Sequence, residues 1–175
     1  MVSGIWGFIN MITTLALKHI SNCKATLEFA SVVWSPYTFN DSYIIERVQN
    51  KFLLCVSYKC GIAREKFSAS SIRLKLDLPL LKTRRTRADV IFFTRLIKDL
   101  TSCPELLSKF NFFVPARNTR YTSLLLVSFS RLNYVKFSPI YRISTNVNFA
   151  WSTGIDFFNS NFHSLKNKIC FAIVN

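Results

Sequence analysis

The stretch NDSYIIERVQNKFLLCVSYKCG, Asn40 to Gly61, decides the fold class. Ile44, Ile45, Val48, Phe52, Cys55 and Val56 recur at helical spacing and form one apolar stripe. Ser42, Glu46, Gln49 and Asn50 fall on the opposite side. Asn40 and Asp41 offer side-chain oxygens to cap the N-terminus, and Gly61 is a natural breaker past the C-terminus. This pattern predicts an amphipathic helix with its stripe turned to a core.

The same reading extends in both directions. Residues 24–35 form the segment before it, and Trp34-Ser35-Pro36 stops that segment, because proline disfavours helix in the residue it follows. Residues 64–99 read as two further helices split near Pro79. The second runs from about Leu80 to Leu100 and changes character midway, from LLKTRRTRAD to VIFFTRLIKDL. Arg84, Arg87, Arg95 and Lys98 share one side with Ile91, beside an apolar band of Leu81, Ala88, Phe92 and Leu96. Val90, Phe93 and Ile97 widen the apolar surface on a third side, so the later half is expected to be buried on several sides. A short helix follows from Cys103-Pro104 to Lys109, with Pro104 suited to its first turn.

Beyond Asn111 the pattern loosens. FNFFVPARNTRY reads as an extended segment and turn, and Thr122 to Phe129 fits strand or buried helix equally. FSPIYR leads by a turn into a helix through Ala150. Residues 155–171 form a last amphipathic stretch with Ile155, Phe158, Phe162, Leu165 and Ile169. The expected fold is mainly α, an antiparallel helical assembly with a less regular C-terminal part of short helices and a small hairpin. Three regions are expected: an apolar N-terminal helix in 1–23, a helical region in 24–110 and an irregular basic region in 111–175.

Composition narrows the functional classes. Half of the 175 residues are hydrophobic, which excludes intrinsic disorder for most of the chain. Four glycines and five prolines exclude collagen-like or low-complexity character. The first 17 residues carry no side-chain charge, but the basic start of a secretory signal is missing and the run is short for a membrane span. A buried helix is expected there and membrane partnership is not. Cys23, Cys55, Cys60, Cys103 and Cys170 are odd in number and hold no closely spaced pair, and His19 and His163 lie far apart. That pattern suits reduced thiols in an intracellular compartment, nuclear or cytoplasmic, and offers no zinc site.

Charge points to an anionic partner. Lys and Arg number 23 against 9 Asp and Glu, a formal net charge of +14. Lys82, Arg84, Arg85 and Arg87 crowd one short stretch, and Asp89, one turn on, is placed to pair with Arg85. From Glu105 to Asp156 no acid intervenes, while Lys109, Arg117, Arg120, Arg131, Lys136 and Arg142 do. With Tyr121, Tyr134 and Tyr141 among them, these bases suit phosphate contact and occasional base stacking. The competing reading is a solvated basic face, or arginines that pair with another part of a larger protein. No two acids are adjacent, the glycines stand singly at 4, 7, 61 and 154, and no motif selects a nucleophile. The chain is therefore read as a non-enzyme that needs no cofactor or metal.

Several phrases together resemble one family. LEFASVVWSP (Leu27 to Pro36), IERVQNKF (Ile45 to Phe52) and LPLLKTRRTRADVIFFTRLIKD (Leu78 to Asp99) are similar to phrases of non-LTR retrotransposon reverse transcriptases, especially the jockey-like group of insects. CPELL (Cys103 to Leu107), VPARNTR (Val114 to Arg120), SPIYR (Ser138 to Arg142) and IDFF (Ile155 to Phe158) follow in that family's order. In the family these phrases lie downstream of the polymerase core. The aromatic-x-Asp-Asp turn of its palm does not occur in this chain, and residues 1–20 do not match. Leu80-Leu81 is separated from Arg84 by Lys82 and Thr83, a departure from the family's phrase. The resemblance implies a truncated C-terminal fragment of an RNA-directed DNA polymerase. It would hold RNA or DNA by the phosphate backbone and pair with the missing polymerase core, without polymerising. Lys82, Arg84, Arg85, Arg87, Arg117, Arg120 and Arg142 are the expected nucleic-acid contacts. The alternative is a host structural or interaction protein whose N-terminal apolar segment serves as anchor or partner helix. Either way, uncovered apolar surface and poor solubility are expected.

Overall fold

Thr38 starts the first helix. Its Oγ accepts the backbone N–H of Asp41 at 3.1 Å, and its hydroxyl donates to the Asp41 carboxylate. The cap is therefore Thr38, and Asn40 and Asp41, the expected caps, lie inside the first turn. The computed structural model describes residues 28–59, 64, 67–114 and 123–173. The apolar N-terminal helix expected in 1–23, and Gly61, lie outside the described residues.

Seven helices occur among the described residues, and the chain is mainly α as expected. They are α1 (Phe39–Lys59), α2 (Ala69–Lys75), α3 (Leu81–Ile97), α4 (Pro104–Leu107), α5 (Asn133–Lys136), α6 (Pro139–Ser152) and α7 (Phe162–Ala172). Pro79 separates α2 from α3, and Pro104 opens α4, as the sequence indicates. Both α2 and α3 end the same way, with an aspartate in the left-handed region just past the C-cap, Asp77 at φ 47° and Asp99 at φ 52°. Behind each the chain folds back, Leu78 N–H to Arg73 C=O and Leu100 N–H to Arg95 C=O, both at 2.9 Å. These bonds satisfy carbonyls that a helix end otherwise leaves open. Gly154, at φ 84°, takes the same position after α6.

The chain divides into two compact units. Among the described residues, the first holds 28–30 and those of Pro36–Leu81, and the second holds Ser31–Ser35 and those from Lys82 on. The division falls at the start of α3. Phe110 is buried against Phe93 with ring centroids 5.2 Å apart, and so belongs to the core of the second unit.

In the first unit α1 packs on α2 through Leu53, Ile72 and Leu78. The buried arc of α1 is Gln49, Leu53, Val56 and Ser57. Ile44 and Val48, predicted to face a core, are 49% and 45% exposed, and Cys55 is exposed as well. The expected orientation of the stripe is thus corrected. Apolar residues occupy more than half the circumference of α1, and the cluster with Ile72 and Leu78 selects the arc centred on Leu53.

The second unit is built on Val90, Phe93 and Leu96 of α3, Ile143, Val147 and Ala150 of α6, and Leu165 and Ile169 of α7. Phe157 stands edge-on to Phe93 and is fully buried, whereas Phe158, the expected core residue, is half exposed. Asp156 explains the choice. Its carboxylate accepts N–H groups of Phe158 and Asn159, a tight turn that swings Phe157 inward. Phe112 is bridged antiparallel to Leu125, flanked by hydrogen bonds from Phe113 N–H to Leu124 C=O at 2.9 Å and from Leu126 N–H to Asn111 C=O at 2.8 Å. Asn148 of α6 pins this bridge, accepting from Leu124 and Leu125 N–H and donating to Leu125 C=O.

Candidate nucleic-acid interface

The basic stretch at the start of α3 does not present one uniform face. Lys82 is exposed, Arg87 is half-buried, and Arg84 and Arg85 are buried, Arg85 to 4% exposure. A helix turns 100° per residue, so four bases in six positions must point around most of the circumference. Arg87 donates to the Cys170 carbonyl at 2.7 Å, in the last turn of α7. A cation there meets the negative end of the helix dipole. Lys98, just past the end of α3, donates to the Phe158 carbonyl.

Arg142 is committed to the interior of the second unit. Its Nε donates to Asp89 at 2.9 Å, and its Nη2 donates to Asp89 at 3.3 Å, to Val32 C=O at 2.6 Å and to Ser31 C=O at 3.3 Å. It thereby fastens the Ser31–Ser35 segment to α3 and α6. Asn146, one turn along α6, donates to the same carboxylate at 2.9 Å. Asp89 is almost wholly buried, and burial pushes its carboxyl above the usual range, against the opposing pull of Arg142 and Asn146. The sequence pointed Asp89 toward Arg85, and the fold gives it Arg142 and Asn146 from a helix more than fifty residues on. Arg117 and Arg120 lie outside the described residues. Of the five expected contacts that are described, therefore, Lys82 is the one that is exposed.

Exposed cations are found elsewhere in the second unit. Arg95, Lys109, Arg131, Lys136, Lys166 and Lys168 are all exposed. Arg131 and Lys136 belong to FSRLNYVKF, Phe129 to Phe137, in which every residue except Ser130 is exposed. Phe129 is 86% and Tyr134 75% exposed. The Ser130 hydroxyl accepts the Leu132 N–H at 3.2 Å, and Leu132 C=O accepts from Val135 and Lys136, so a local turn holds the stretch in shape. Lys136 Nζ lies 5.7 Å from the Phe137 ring centroid. The sequence signal was present, since acid-free alternation of rings and bases is readable there. What the sequence lacked was a periodicity to say which of those side chains face outward.

Among the described residues no group of three or more His, Cys, Asp or Glu could hold a metal ion. No helix among them is long and apolar enough to cross a membrane. No family model, no curated protein and no solved structure matches the chain.

Proposed function

We propose that this chain is the region following the polymerase core of a jockey-like non-LTR reverse transcriptase, that it works in an intracellular, reducing compartment, and that it holds nucleic acid without polymerising. One observation carries the binding half of this reading. The second unit exposes Arg95, Lys109, Arg131, Lys136, Lys166 and Lys168, and the 50 residues between Glu105 and Asp156 contain no acid. A surplus of exposed cations of this kind attracts a polyanion, and neutralising phosphates releases condensed counterions. The phrases that resemble the family, in the family's order, support the origin. The missing aromatic-x-Asp-Asp turn supports the absence of polymerisation.

Fluorescence anisotropy with labelled RNA and DNA across a salt series tests it. The affinity should fall steeply with salt, each neutralised phosphate adding about −0.9 to the log–log slope on duplex DNA. Lys166→Glu with Lys168→Glu should weaken binding and flatten that slope. Negligible binding at low salt would overturn the binding half.

The second reading, a host interaction protein, is favoured by a different observation. Phe39, Tyr43, Ile44 and Val48 are exposed along α1, a surface suited to a partner helix. Membrane fractionation separates the two readings, since carbonate-resistant association belongs to the second.

A further inference from the structure

We propose that Phe129 to Phe137 is a stacking platform for single-stranded nucleic acid, Phe129 and Tyr134 receiving bases while Arg131 and Lys136 meet the flanking phosphates. The inference rests on the nucleic-acid reading above and adds to it the strand type and the residues that choose it.

Four observations converge. First, Phe129 and Tyr134 are, with Phe171, the most exposed rings among the described residues of the second unit. Large rings held in water gain by covering their faces, and every base offers a face to cover them. Second, the backbone beneath them is ordered by its own hydrogen bonds, Ser130 to Leu132 and Phe137 N–H to Asn133 C=O at 2.9 Å. The stretch runs directly into α6, whose Ser138 cap and buried Ile143 and Val147 anchor it. Rings displayed on a fixed turn lose little freedom when a ligand stacks on them. Third, Arg131 stands between the two rings in sequence and Lys136 just after them, with no acid on the stretch. Cations beside stacking rings match the alternation of base and phosphate along a strand. Fourth, the bases of a duplex already stack on one another and hide their faces, so exposed rings distinguish a single strand from a duplex.

A lipid surface fits less well. An interfacial helix needs a long continuous apolar face, whereas α5 has four residues and Ser128, Ser130 and Asn133 interrupt the apolar side chains.

The test uses the full chain with fluorescein-labelled poly-uridine and poly-deoxythymidine, a duplex of equal length, and phosphatidylcholine vesicles carrying phosphatidylserine. The single strands should bind more tightly than the duplex. Phe129→Leu and Tyr134→Leu should each weaken single-strand binding by about tenfold and leave duplex binding unchanged. Tyr134→Phe should retain affinity, because stacking needs the ring and not the hydroxyl. Circular dichroism establishes that each variant keeps the helical fold, as expected for side chains this exposed. Single-strand binding that both leucine variants leave intact would overturn the platform while the basic-surface reading stands. Vesicle binding that exceeds single-strand binding and is lost in the leucine variants would overturn it in favour of a lipid surface. Absence of binding to any strand would overturn both readings together.

Discussion

Asp89 and Arg142 show how one residue pair can carry more than its sequence positions suggest. The carboxylate is buried, and the guanidinium that answers it also holds two backbone carbonyls of the Ser31–Ser35 segment. Removing the cation leaves a buried charge unanswered, so Arg142→Ala should lower stability by about 3 kcal/mol in urea denaturation. Arg142→Lys should recover part of this, because an ammonium keeps the charge but not the fork. The pH dependence has a definite sign. The folded Asp89 carboxyl is raised above 3.8, chiefly by burial, so the folded state holds its proton more tightly than the unfolded chain does. Asp89 therefore contributes stability that is full below 3.8 and is lost as pH rises through the raised folded value. Thermal melts from below 3.8 to neutral pH should show this decline, and Asp89→Asn should flatten that part of the profile. Asp156 runs the other way. The N–H groups of Phe158 and Asn159 and the amide of Asn159 hold its carboxyl below the usual range, so its contribution is present above the ordinary value and lost on acidification.

The helices test whether composition or packing chooses a buried face. On α1 the residues at helical spacing around Ile44 and Val48 look like a core stripe, yet Leu53 is the side chain with no exposure. Leu53→Ala should cost about 3 kcal/mol in stability, and Val48→Ala about 0.5 kcal/mol or less. Equal losses at the two positions would contradict the packing described for α1. The end of α3 supplies a second case. Asp99 occupies a left-handed backbone conformation, which an L side chain adopts at a cost and aspartate adopts more readily than alanine. Asp99→Ala should lower stability by about 1 kcal/mol, whereas Asp99→Gly should not, since glycine meets no Cβ penalty there. Helix boundaries at Pro79 and Pro104 were legible because proline acts locally through its own ring and missing N–H. The caps were less so. Thr38, Asn40 and Asp41 all carry suitable oxygens, and only the backbone path selects the one that reaches an open N–H.

For the whole molecule, charge and exposed apolar surface pull toward different partners. The net charge of +14 favours polyanions, while Phe39, Val114, Phe129 and Phe171 stand in water along with many smaller apolar groups. The isolated chain should self-associate as its concentration rises, and analytical ultracentrifugation should show mass increasing over a dilution series. A monodisperse monomer at high concentration would count against a chain that lacks a covering neighbour. Adding single-stranded RNA should suppress the association if the Phe129–Phe137 platform contributes to it.

The amino-acid sequence alone determined the helical class, the breaks between helices, the surplus of cations and the long acid-free stretch, because each is a local or additive property of the chain. Tertiary structure decided which cations remain available. Arg84 and Arg85 are buried, Arg87 and Arg142 bind carbonyls and a carboxylate far away in the chain, and exposed positive charge passes to Arg131, Lys136 and the lysines of α7. The physical reason is that a charge is countable from composition, but its desolvation and its partner depend on what distant segments fold around it.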